Sequence, residues 1–348
     1  MGDGWDTASL GSVGMDSAPI MDLVERVRSG QLANIHSVLI VRRNRLVFEE
    51  YFTGADELSG RRVAQTTFTP LTKHDVRSVS KSVTSLLFGI ALDRKSVSGL
   101  ERPVLDYLPQ YADLRDAQRD RVLVKHLLTM TAGFEWDETR SYHDPLNSES
   151  QMDDAADPSR FVITRAVVAE PGQTFQYSGG ATQLLAGVLR QATGMPVDKY
   201  AERMLFGPLG ITDYEWNKHG NGDPIAASGL RLRPRDLAKI GSLYLNGGRW
   251  RGRAIVSAAW TQESTRAQVP VDATYRYGYQ WWIGVSKVSG RTINWAAAAG
   301  NGGQRVFVFP SLDLLVVCTA GDYNDAEKDD IFNSLADRYV LPAVRDLK

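Results

Sequence analysis

The sequence contains one cysteine, Cys318, so the chain by itself cannot form a disulfide. Cys318 lies in the apolar run LDLLVVCTAG, which predicts a buried strand position. No apolar run reaches the ~18 residues that a membrane-spanning helix requires. The first thirty residues also lack a basic start followed by an apolar core. We therefore expect a soluble protein with no signal peptide in this chain: cytoplasmic, or periplasmic or secreted if a signal was removed.

An excess of charge of one sign is missing as well. The chain has 40 Lys and Arg residues against 41 Asp and Glu residues, and its basic residues form no block. This balance argues against nucleic acid or an anionic membrane surface as the main partner. A small, roughly neutral ligand fits better, while the oligomeric state stays open.

Three common catalytic signatures are absent: G-x-S-x-G, H-E-x-x-H and paired C-x-x-C. Their absence counts against an α/β-hydrolase and against a metal hydrolase. We accordingly expect no bound metal ion and no cofactor.

Strand-like segments at both ends of the chain enclose a helical middle. A helix in PIMDLVERVRSG and a hairpin around Arg43-Asn44 come first, and the runs YGYQWWIGV, RTINWAAA, QRVFVFP and LDLLVVCTAG come last, before a final helix around IFNSLADRYVLPAV. We predict a sheet-containing α/β (α+β) region formed by residues 1–77 and 246–348. Residues 78–245 form a mostly helical region, and the two together make one unit.

One stretch of the helical region, DETRSYHDPLNSESQMDDAADPSR, is polar, acidic and rich in turn residues. It predicts a loop over some surface rather than an element of the core. Tyr142, His143 and Asp144 on this loop could line a substrate pocket, although a solvated loop is the preferred interpretation.

The segment HDVRSVSKSVTSLLFGIALD places Ser78 three residues before Lys81, at the start of a predicted helix. Ser78, Lys81, Ser82 and Ser85 then share one helix face, so Ser78 and Lys81 can touch. A lysine can take the proton of a nucleophilic serine only if burial or a nearby cation lowers the pKa of the lysine. The N–H of Ser78 at the helix start could also bind a developing oxyanion. The alternative is an ordinary amphipathic helix, because about one Ser-x-x-Lys pair is expected by chance.

Two other segments favour the catalytic interpretation. Tyr177-Ser178-Gly179 comes just before a predicted helix, and the turn in AAAAGNGGQRVFVFP lies between two predicted strands near the C-terminus. On another predicted strand, Trp281 and Trp282 must point to opposite faces, so at most one of them can reach a site.

With these three motifs in this order and at these separations, the sequence resembles the class C β-lactamase and penicillin-binding-protein superfamily of serine hydrolases. Within it, the chain is most similar to the esterase and 6-aminohexanoate-dimer hydrolase branch. The resemblance covers nearly the whole chain, including HLLTMTAGFEWDE and SGLRLRPRDLAKIG. It implies a β-lactamase/transpeptidase-like fold: an antiparallel sheet flanked by helices plus a mostly helical subdomain, with the site at their junction.

The resemblance also implies residue roles. Ser78 would be the acylated nucleophile, Lys81 the group that accepts its proton, and Tyr177 the phenol that relays protons to the leaving group. Gly179 would lie at the substrate site, where the family often has Asn, so a side-chain amide is removed. Tyr142 is a candidate for substrate binding because of its place on the polar loop, independently of the resemblance.

The third motif departs further from the family pattern. Ala298 and Ala299 precede Gly300, where a Lys or His is usual, so a cation is missing. The main-chain donor of the oxyanion hole, expected at Gly300 and Asn301, needs no side chain and can survive. Whether a cation is restored from another direction stays open, the candidates being Arg231, Arg233 and Arg305.

The resulting hypothesis is a cofactor-free serine hydrolase that forms an acyl-serine intermediate on small esters or linear amides. The alternative within enzymes is a β-lactamase or D-alanyl-D-alanine carboxypeptidase. From another class, the alternative is a non-catalytic sensor of a peptidoglycan ligand. The physiological substrate and the preference for ester or amide stay open.

Overall fold

The computed structural model describes residues 2–32, 34–58, 60–325 and 332–347, in which most strands lie towards the two ends of the chain and most helices in the middle. The strands are β1 (Ile35–Arg42), β2 (Arg45–Tyr51), β3 (Thr53–Leu58), β4 (Arg61–Thr67), β5 (His74–Asp75), β6 (Glu215–Trp216), β7 (Leu230–Leu232), β8 (Arg249–Trp250), β9 (Arg253–Ala254), β10 (Val269–Pro270), β11 (Arg276–Tyr277), β12 (Trp282–Val288), β13 (Arg291–Gly300), β14 (Gln304–Phe309) and β15 (Leu314–Ala320). The α-helices are α1 (Ala18–Arg28), α2 (Val79–Asp93), α3 (Val104–Tyr107), α4 (Val124–Leu128), α5 (Ser148–Asp153), α6 (Pro158–Ile163), α7 (Gly179–Thr193), α8 (Val197–Ala201), α9 (Gly207–Leu209), α10 (Pro234–Leu245) and α11 (Ala258–Ser264). Among these residues, no helix combines the length and the apolarity needed to cross a membrane.

The main sheet is antiparallel and joins the two ends of the chain. Its eight strands lie in the order β10-β11-β12-β13-β14-β15-β1-β2. The C-terminal strand β15 pairs with β1, with Val38 opposite Cys318. The predicted hairpin between β1 and β2 is confirmed, because Arg43 and Asn44 both adopt the positive φ angles that a tight two-residue turn requires. The sheet-and-helix fold class predicted from the sequence is therefore confirmed.

Both faces of the central strands are covered. Since successive side chains of a strand point to opposite faces, Leu39 and Val41 pack with α2 and α10, while Val38 and Ile40 pack with α1 and the C-terminal helical turns. Cys318 belongs to the second core and is buried, as predicted. The closing helix predicted around residues 331–344 is confirmed over residues 332–343, which are α-helical at 332–335, π-helical over Ala336–Val340 and 3₁₀ over Leu341–Ala343; residue 331 lies outside the described residues.

Helix α2 is buried along nearly its whole length, from Val79 to Ala91. The expected polar face is therefore not solvated. Ser82 and Ser85 donate to the backbone carbonyls of Gln280 and Tyr279, which lie just before β12. These buried hydroxyls attach α2 to the main sheet, since a buried carbonyl without a donor is costly.

The expectation of a solvated loop over residues 137–160 is wrong at its centre. The segment contains α5 and the start of α6, whose N-caps Asn147 and Asp157 accept backbone N–H groups. Ser148, Glu149 and Met152 on α5 are buried. The segment therefore combines exposed polar residues with a buried carboxylate, Glu149, which composition alone does not reveal.

Gly241 on α10 generates a stability prediction. A Cβ atom there would lie 2.5 Å from Leu315 Cδ1 and 2.8 Å from Val306 Cγ1, both on the main sheet. Gly241→Ala should therefore lower the free energy of unfolding by about 1–3 kcal/mol, measured by urea denaturation. The matched control is Gly187→Ala on α7, where the nearest atom is 3.4 Å away. Helix propensity should stabilise that variant by up to ~1 kcal/mol, and equal effects of the two substitutions would contradict the packing argument.

Candidate active site

Ser78 and Lys81 meet at the beginning of α2. Ser78 is the N-cap of the helix, yet its hydroxyl makes no capping hydrogen bond. Instead, Lys81 Nζ donates to Ser78 Oγ at 3.0 Å and to the Ala227 carbonyl at 3.3 Å. Arg77, with a left-handed φ of 49°, turns the chain between β5 and α2. The predicted contact between serine and lysine is therefore present, and the Lys81 side chain is only 1% exposed.

Tyr177 completes the predicted group of three. Its hydroxyl interacts with the side chains of both Ser78 and Lys81. Lys81 Nζ lies 4.8 Å from the centroid of the Tyr177 ring, and that ring stacks on Trp282 at 5.8 Å. Burial is the main cause that raises the pKa of Tyr177, so the phenol is protonated and can donate a hydrogen bond.

Two carboxyl groups that the sequence analysis did not single out adjoin the lysine. Lys81 Nζ lies 3.9 Å from Glu138 Oε1 and 3.6 Å from Glu149 Oε2. The two glutamate side chains are only 2% and 3% exposed. Both come from the segment that was expected to be a solvated loop. We call Lys81, Glu138 and Glu149 the buried charge cluster.

The carboxyl groups of the cluster are held by several donors. Glu138 accepts hydrogen bonds from Gly179 N at 2.6 Å, from Trp136 Nε1 at 2.8 Å and from the Tyr142 hydroxyl at 3.1 Å. Glu149 accepts one from Ser228 Oγ at 3.0 Å. The partners lie on different elements, so the cluster fixes the helical region around α2.

The directions of the pKa shifts indicate which side chains of the buried charge cluster are charged. Burial, with Glu149 close by, raises the pKa of Glu138 well above its usual range. Burial would also raise the pKa of Glu149, but Lys81 outweighs it and the pKa is lowered. For Lys81, burial favours the neutral amine, yet Glu149, Tyr177 and Glu138 together raise its pKa. The lysine is thus an ammonium, and the lowered pKa that direct proton abstraction by Lys81 would require is not present, because its neighbours are carboxylates rather than cations.

Gly179 packs against the buried charge cluster, and its expected contact with a substrate stays a prediction. A Cβ atom at this position would lie 2.4 Å from Glu149 Oε2, and the Gly179 N–H is used by Glu138. The carboxyl groups thus fill the space next to Lys81 that a longer side chain at position 179 would need. This explains physically why the motif has glycine here.

Ser78 opens into a cavity of about 550 Å³. Four other predicted residues line it: Tyr142, Tyr177, Gly300 and Asn301. The rest of the wall combines four aromatic side chains with polar and charged ones: Tyr275, Trp282, Trp295 and Phe307, and among the others Glu138, Arg140, Arg305 and Asp325. Of the tryptophan pair, Trp282 faces the cavity, whereas Trp281 is buried and donates to the Tyr244 hydroxyl, as strand alternation predicts. His143 and Asp144 do not line this cavity.

The end of β13 lies against the segment that leads to Ser78. A Cβ atom on Gly300 would be 2.4 Å from the Val76 carbonyl oxygen, so only glycine permits this approach. The Asn301 side chain is held by Asn324, whose backbone N–H donates to Asn301 Oδ1 at 2.8 Å and whose Oδ1 accepts from Asn301 Nδ2 at 2.7 Å. Gly300 and Asn301 therefore lie beside Ser78 in a fixed conformation.

Only one of the three candidate arginines reaches the cavity. Arg231 forms ion pairs with Asp75 and Glu215, and Arg233 pairs with Asp213. Neither lines the cavity.

Arg305 does line it, on β14 opposite Ala299. Its Nη1 donates to the carbonyls of Gly300 and Gln304, both at 3.0 Å, and its Nε to Asn333 Oδ1 at 3.0 Å. The guanidinium thus braces the turn between β13 and β14 while placing a positive charge in the wall.

A family profile described as Beta-lactamase matches residues 29–337, which is most of the chain. The chain belongs to the β-lactamase family. This confirms the resemblance found in the three motifs.

Two curated relatives are similar to large parts of the chain. A 6-aminohexanoate-dimer hydrolase of Paenarthrobacter ureafaciens is 26% identical over 273 residues, or 72% of this chain and 66% of the relative. Esterase EstB of Burkholderia gladioli is 27% identical over 216 residues, or 60% of this chain and 52% of that protein. The matches thus span just under two thirds of one relative and about half of the other.

The solved structure of a class C β-lactamase has a TM-score of 0.68 to this chain at 16% identity, covering 94% of this chain and 96% of that one. At this identity the likeness shows the fold alone. It confirms the predicted β-lactamase/transpeptidase-like fold.

Sequence reasoning missed Glu138 and Glu149 because acidic residues in a turn-rich stretch usually face solvent. The available signals were weak. Asn147 two residues before Glu149 is a typical helix N-cap, and Glu138 lies within the family-like segment HLLTMTAGFEWDE. Neither signal indicates burial beside a lysine.

The charge assignment of Lys81 can be tested by NMR of protein labelled with ¹³C at lysine Cε. The Lys81 signal, identified by its loss in Lys81→Met, should titrate above the ordinary lysine value of about 10.4. In Glu149→Gln the main attraction for the ammonium is gone, so the pKa of Lys81 should fall. Glu170→Gln, which removes an exposed carboxylate, serves as the control and should leave the signal unchanged. A Lys81 pKa that is unchanged or higher in Glu149→Gln would contradict the assignment.

Proposed function

We propose that this protein is a serine hydrolase that forms an acyl-enzyme on Ser78 and hydrolyses small esters or linear amides. The observation that carries the proposal is the 3.0 Å contact between Lys81 Nζ and Ser78 Oγ at the wall of the cavity. A serine becomes a nucleophile when an adjacent group can take its proton. Family membership and the esterase and amide-hydrolase relatives support the same reaction class.

Proton transfer has to begin within the buried charge cluster. Because Lys81 is an ammonium, it must first give a proton away, and Glu149 Oε2 at 3.6 Å is the nearest described carboxylate. The raised pKa of Lys81 and the lowered pKa of Glu149 make this transfer unfavourable, so the neutral amine is a minor species that forms during the reaction. The neutral amine can then take the proton of Ser78 as Oγ attacks the substrate carbonyl. No net charge is created in the buried region by this exchange, because one proton moves within an ion pair.

The developing oxyanion would be bound by two backbone N–H groups. One belongs to Ser78 at the N-terminus of α2, where amides have no partner within the helix. The other belongs to Asn301, which follows β13 and lines the same cavity. Donors fixed in this way stabilise the transition state without reorganisation.

Tyr177 would protonate the leaving group. Its raised pKa keeps the phenol neutral, so it can donate its proton to the departing oxygen or nitrogen as the bond to the acyl carbon breaks. Lys81, which has taken the Ser78 proton and interacts with the Tyr177 hydroxyl, can return a proton to it. Water then attacks the acyl-serine, and the same groups act in reverse to release the acid and restore Ser78.

The wall of the cavity favours small substrates without a carboxylate next to the reacting bond. Tyr275, Trp295 and Phe307 offer aromatic surface, and Ala299 offers no side-chain charge at the third motif.

Two cations in the wall, Arg140 and Arg305, favour the alternative, a β-lactamase or D-alanyl-D-alanine carboxypeptidase. Arg140 is paired with Asp137 and Asp144, whereas Arg305 is held in the turn between β13 and β14. Arg305 Nη1 is engaged by two carbonyls, which limits its reach towards a substrate.

Acylation of Ser78 is tested by intact mass spectrometry after mixing the protein with a nitrophenyl ester, a short linear amide or a penicillin. The wild type should gain the acyl mass of the ester, and Ser78→Ala should gain none and lose turnover. Ser141→Ala is the matched control, because Ser141 also lines the cavity but makes no described contact with a lysine. Acylation and turnover that persist in Ser78→Ala would refute the mechanism. A wild type that binds without ever turning over would support the sensor alternative.

Substrate preference follows from the missing third-motif cation. A charge-assisted hydrogen bond to a substrate carboxylate is worth about 1.5–3 kcal/mol, and Ala298 and Ala299 cannot supply it. We expect kcat/KM for a chromogenic cephalosporin to be roughly tenfold to a hundredfold below that for a short-chain nitrophenyl ester or a 6-aminohexanoate dimer. All three are measured on one preparation, with Ser78→Ala as background. A cephalosporin hydrolysed as fast as the better of the other two would favour the β-lactamase alternative, with Arg140 or Arg305 of the cavity wall as the cation.

A further inference from the structure

A second group of chemically active side chains lies outside the buried charge cluster. His36 on β1, Asp56 on β3 and His74 on β5 converge behind the segment that leads to Ser78. His36 Nδ1 lies 2.7 Å from His74 Nε2, and Asp56 Oδ1 lies 3.6 Å from His74 Nε2 and 4.0 Å from His36 Nδ1. The imidazole side chains are at most 1% exposed and the Asp56 side chain is 10% exposed.

The outer nitrogen of each imidazole is used as a donor. His36 Nε2 lies 2.9 Å from the Ala55 carbonyl oxygen, and His74 Nδ1 lies 3.0 Å from the Asp75 carbonyl oxygen. A carbonyl oxygen can only accept, so each of these nitrogens must carry the hydrogen. In the neutral tautomers that result, His36 Nδ1 and His74 Nε2 both have bare lone pairs.

These two lone pairs therefore face one another at 2.7 Å, with a carboxylate oxygen beside them. Two acceptors at that distance repel unless a positive species lies between them. The species can be a proton shared by the rings or a metal cation. Two imidazoles and one carboxylate, each oriented by an outer hydrogen bond, form a ligand set typical of zinc and similar transition metals.

We propose that His36 Nδ1, His74 Nε2 and Asp56 Oδ1 bind a divalent transition-metal cation of the zinc type. The supporting hydrogen bonds are those expected around such a site, because both imidazoles donate to backbone carbonyls and Asp56 Oδ1 accepts from the Tyr323 hydroxyl at 3.0 Å. Zinc bonds of about 2.0–2.1 Å in tetrahedral geometry require the two ring nitrogens about 3.3 Å apart. The rings would thus separate by roughly half an ångström on binding, leaving a fourth position for water.

The position of the site indicates a structural role. Strands β3 and β4 form a separate two-stranded sheet, and the ion would attach this hairpin to β1 of the main sheet and to β5. His74 lies four residues before Ser78. Tyr323, which binds Asp56, is adjacent to Asn324, the residue that holds Asn301. The ion would thus stabilise three segments behind the cavity without touching the reacting atoms.

The test is zinc binding by chelator-stripped full-length protein at neutral pH, without substrate. We expect one Zn²⁺ per chain by isothermal titration calorimetry and by elemental analysis after gel filtration, with a melting temperature that rises with zinc concentration. Asp56→Asn and His74→Gln should each weaken binding at least tenfold. His143→Ala, which removes an exposed histidine, is the control and should bind like the wild type.

Should a variant fail to fold, Co²⁺ added to the wild type provides a second measurement. Co²⁺ bound at a four-coordinate site of nitrogen and oxygen ligands absorbs visible light, and this absorption should disappear when Zn²⁺ displaces the Co²⁺. If the wild type binds no stoichiometric zinc, the proposal is overturned, and a proton shared between His36 Nδ1 and His74 Nε2 explains their 2.7 Å separation. Zinc binding of unchanged affinity in both Asp56→Asn and His74→Gln would also overturn it. Because no substrate is involved, failure here is independent of the outcome for acylation of Ser78.

Discussion

The site depends on the electrostatic interaction of the buried Lys81 ammonium group with the carboxyl groups of Glu138 and Glu149. Removing an ion from water costs several kcal/mol even after relaxation, so a buried lysine next to a serine requires a countercharge. Glu149 supplies this negative charge. Glu138, whose pKa is raised well above its usual range, is protonated and therefore neutral. This requirement explains why α5 is buried, why Ser228 donates to a carboxylate, and why Gly179 can carry no side chain.

The same cluster connects stability with chemistry. Removing one partner of a buried ion pair costs about 3–5 kcal/mol, because the other charge is left uncompensated. A neutral resting cluster also lets a proton move between Lys81, Glu149, Ser78 and Tyr177 while the total charge stays constant. In a region of low dielectric constant this is much less costly than separating charges.

The main sheet places these groups against the rest of the cavity. Because β15 pairs with β1, the two ends of the chain form one sheet, and its β13 strand ends beside the turn before Ser78. Gly300 permits the contact with Val76, and the buried hydroxyls of α2 attach the helix to the loop before β12. The proposed ion at His36 and His74 would reinforce the same junction from behind.

The sequence by itself determined the strand and helix pattern and the contact between Ser78 and Lys81, because periodicity and a three-residue spacing on a helix are local geometry. Motif order also indicated Tyr177 and the family. Tertiary structure alone decided the charge of Lys81, the burial of Glu138 and Glu149, and the meeting of His36 with His74. Those properties depend on distances between residues far apart in the chain and on the exclusion of water. No local pattern of side chains encodes either quantity.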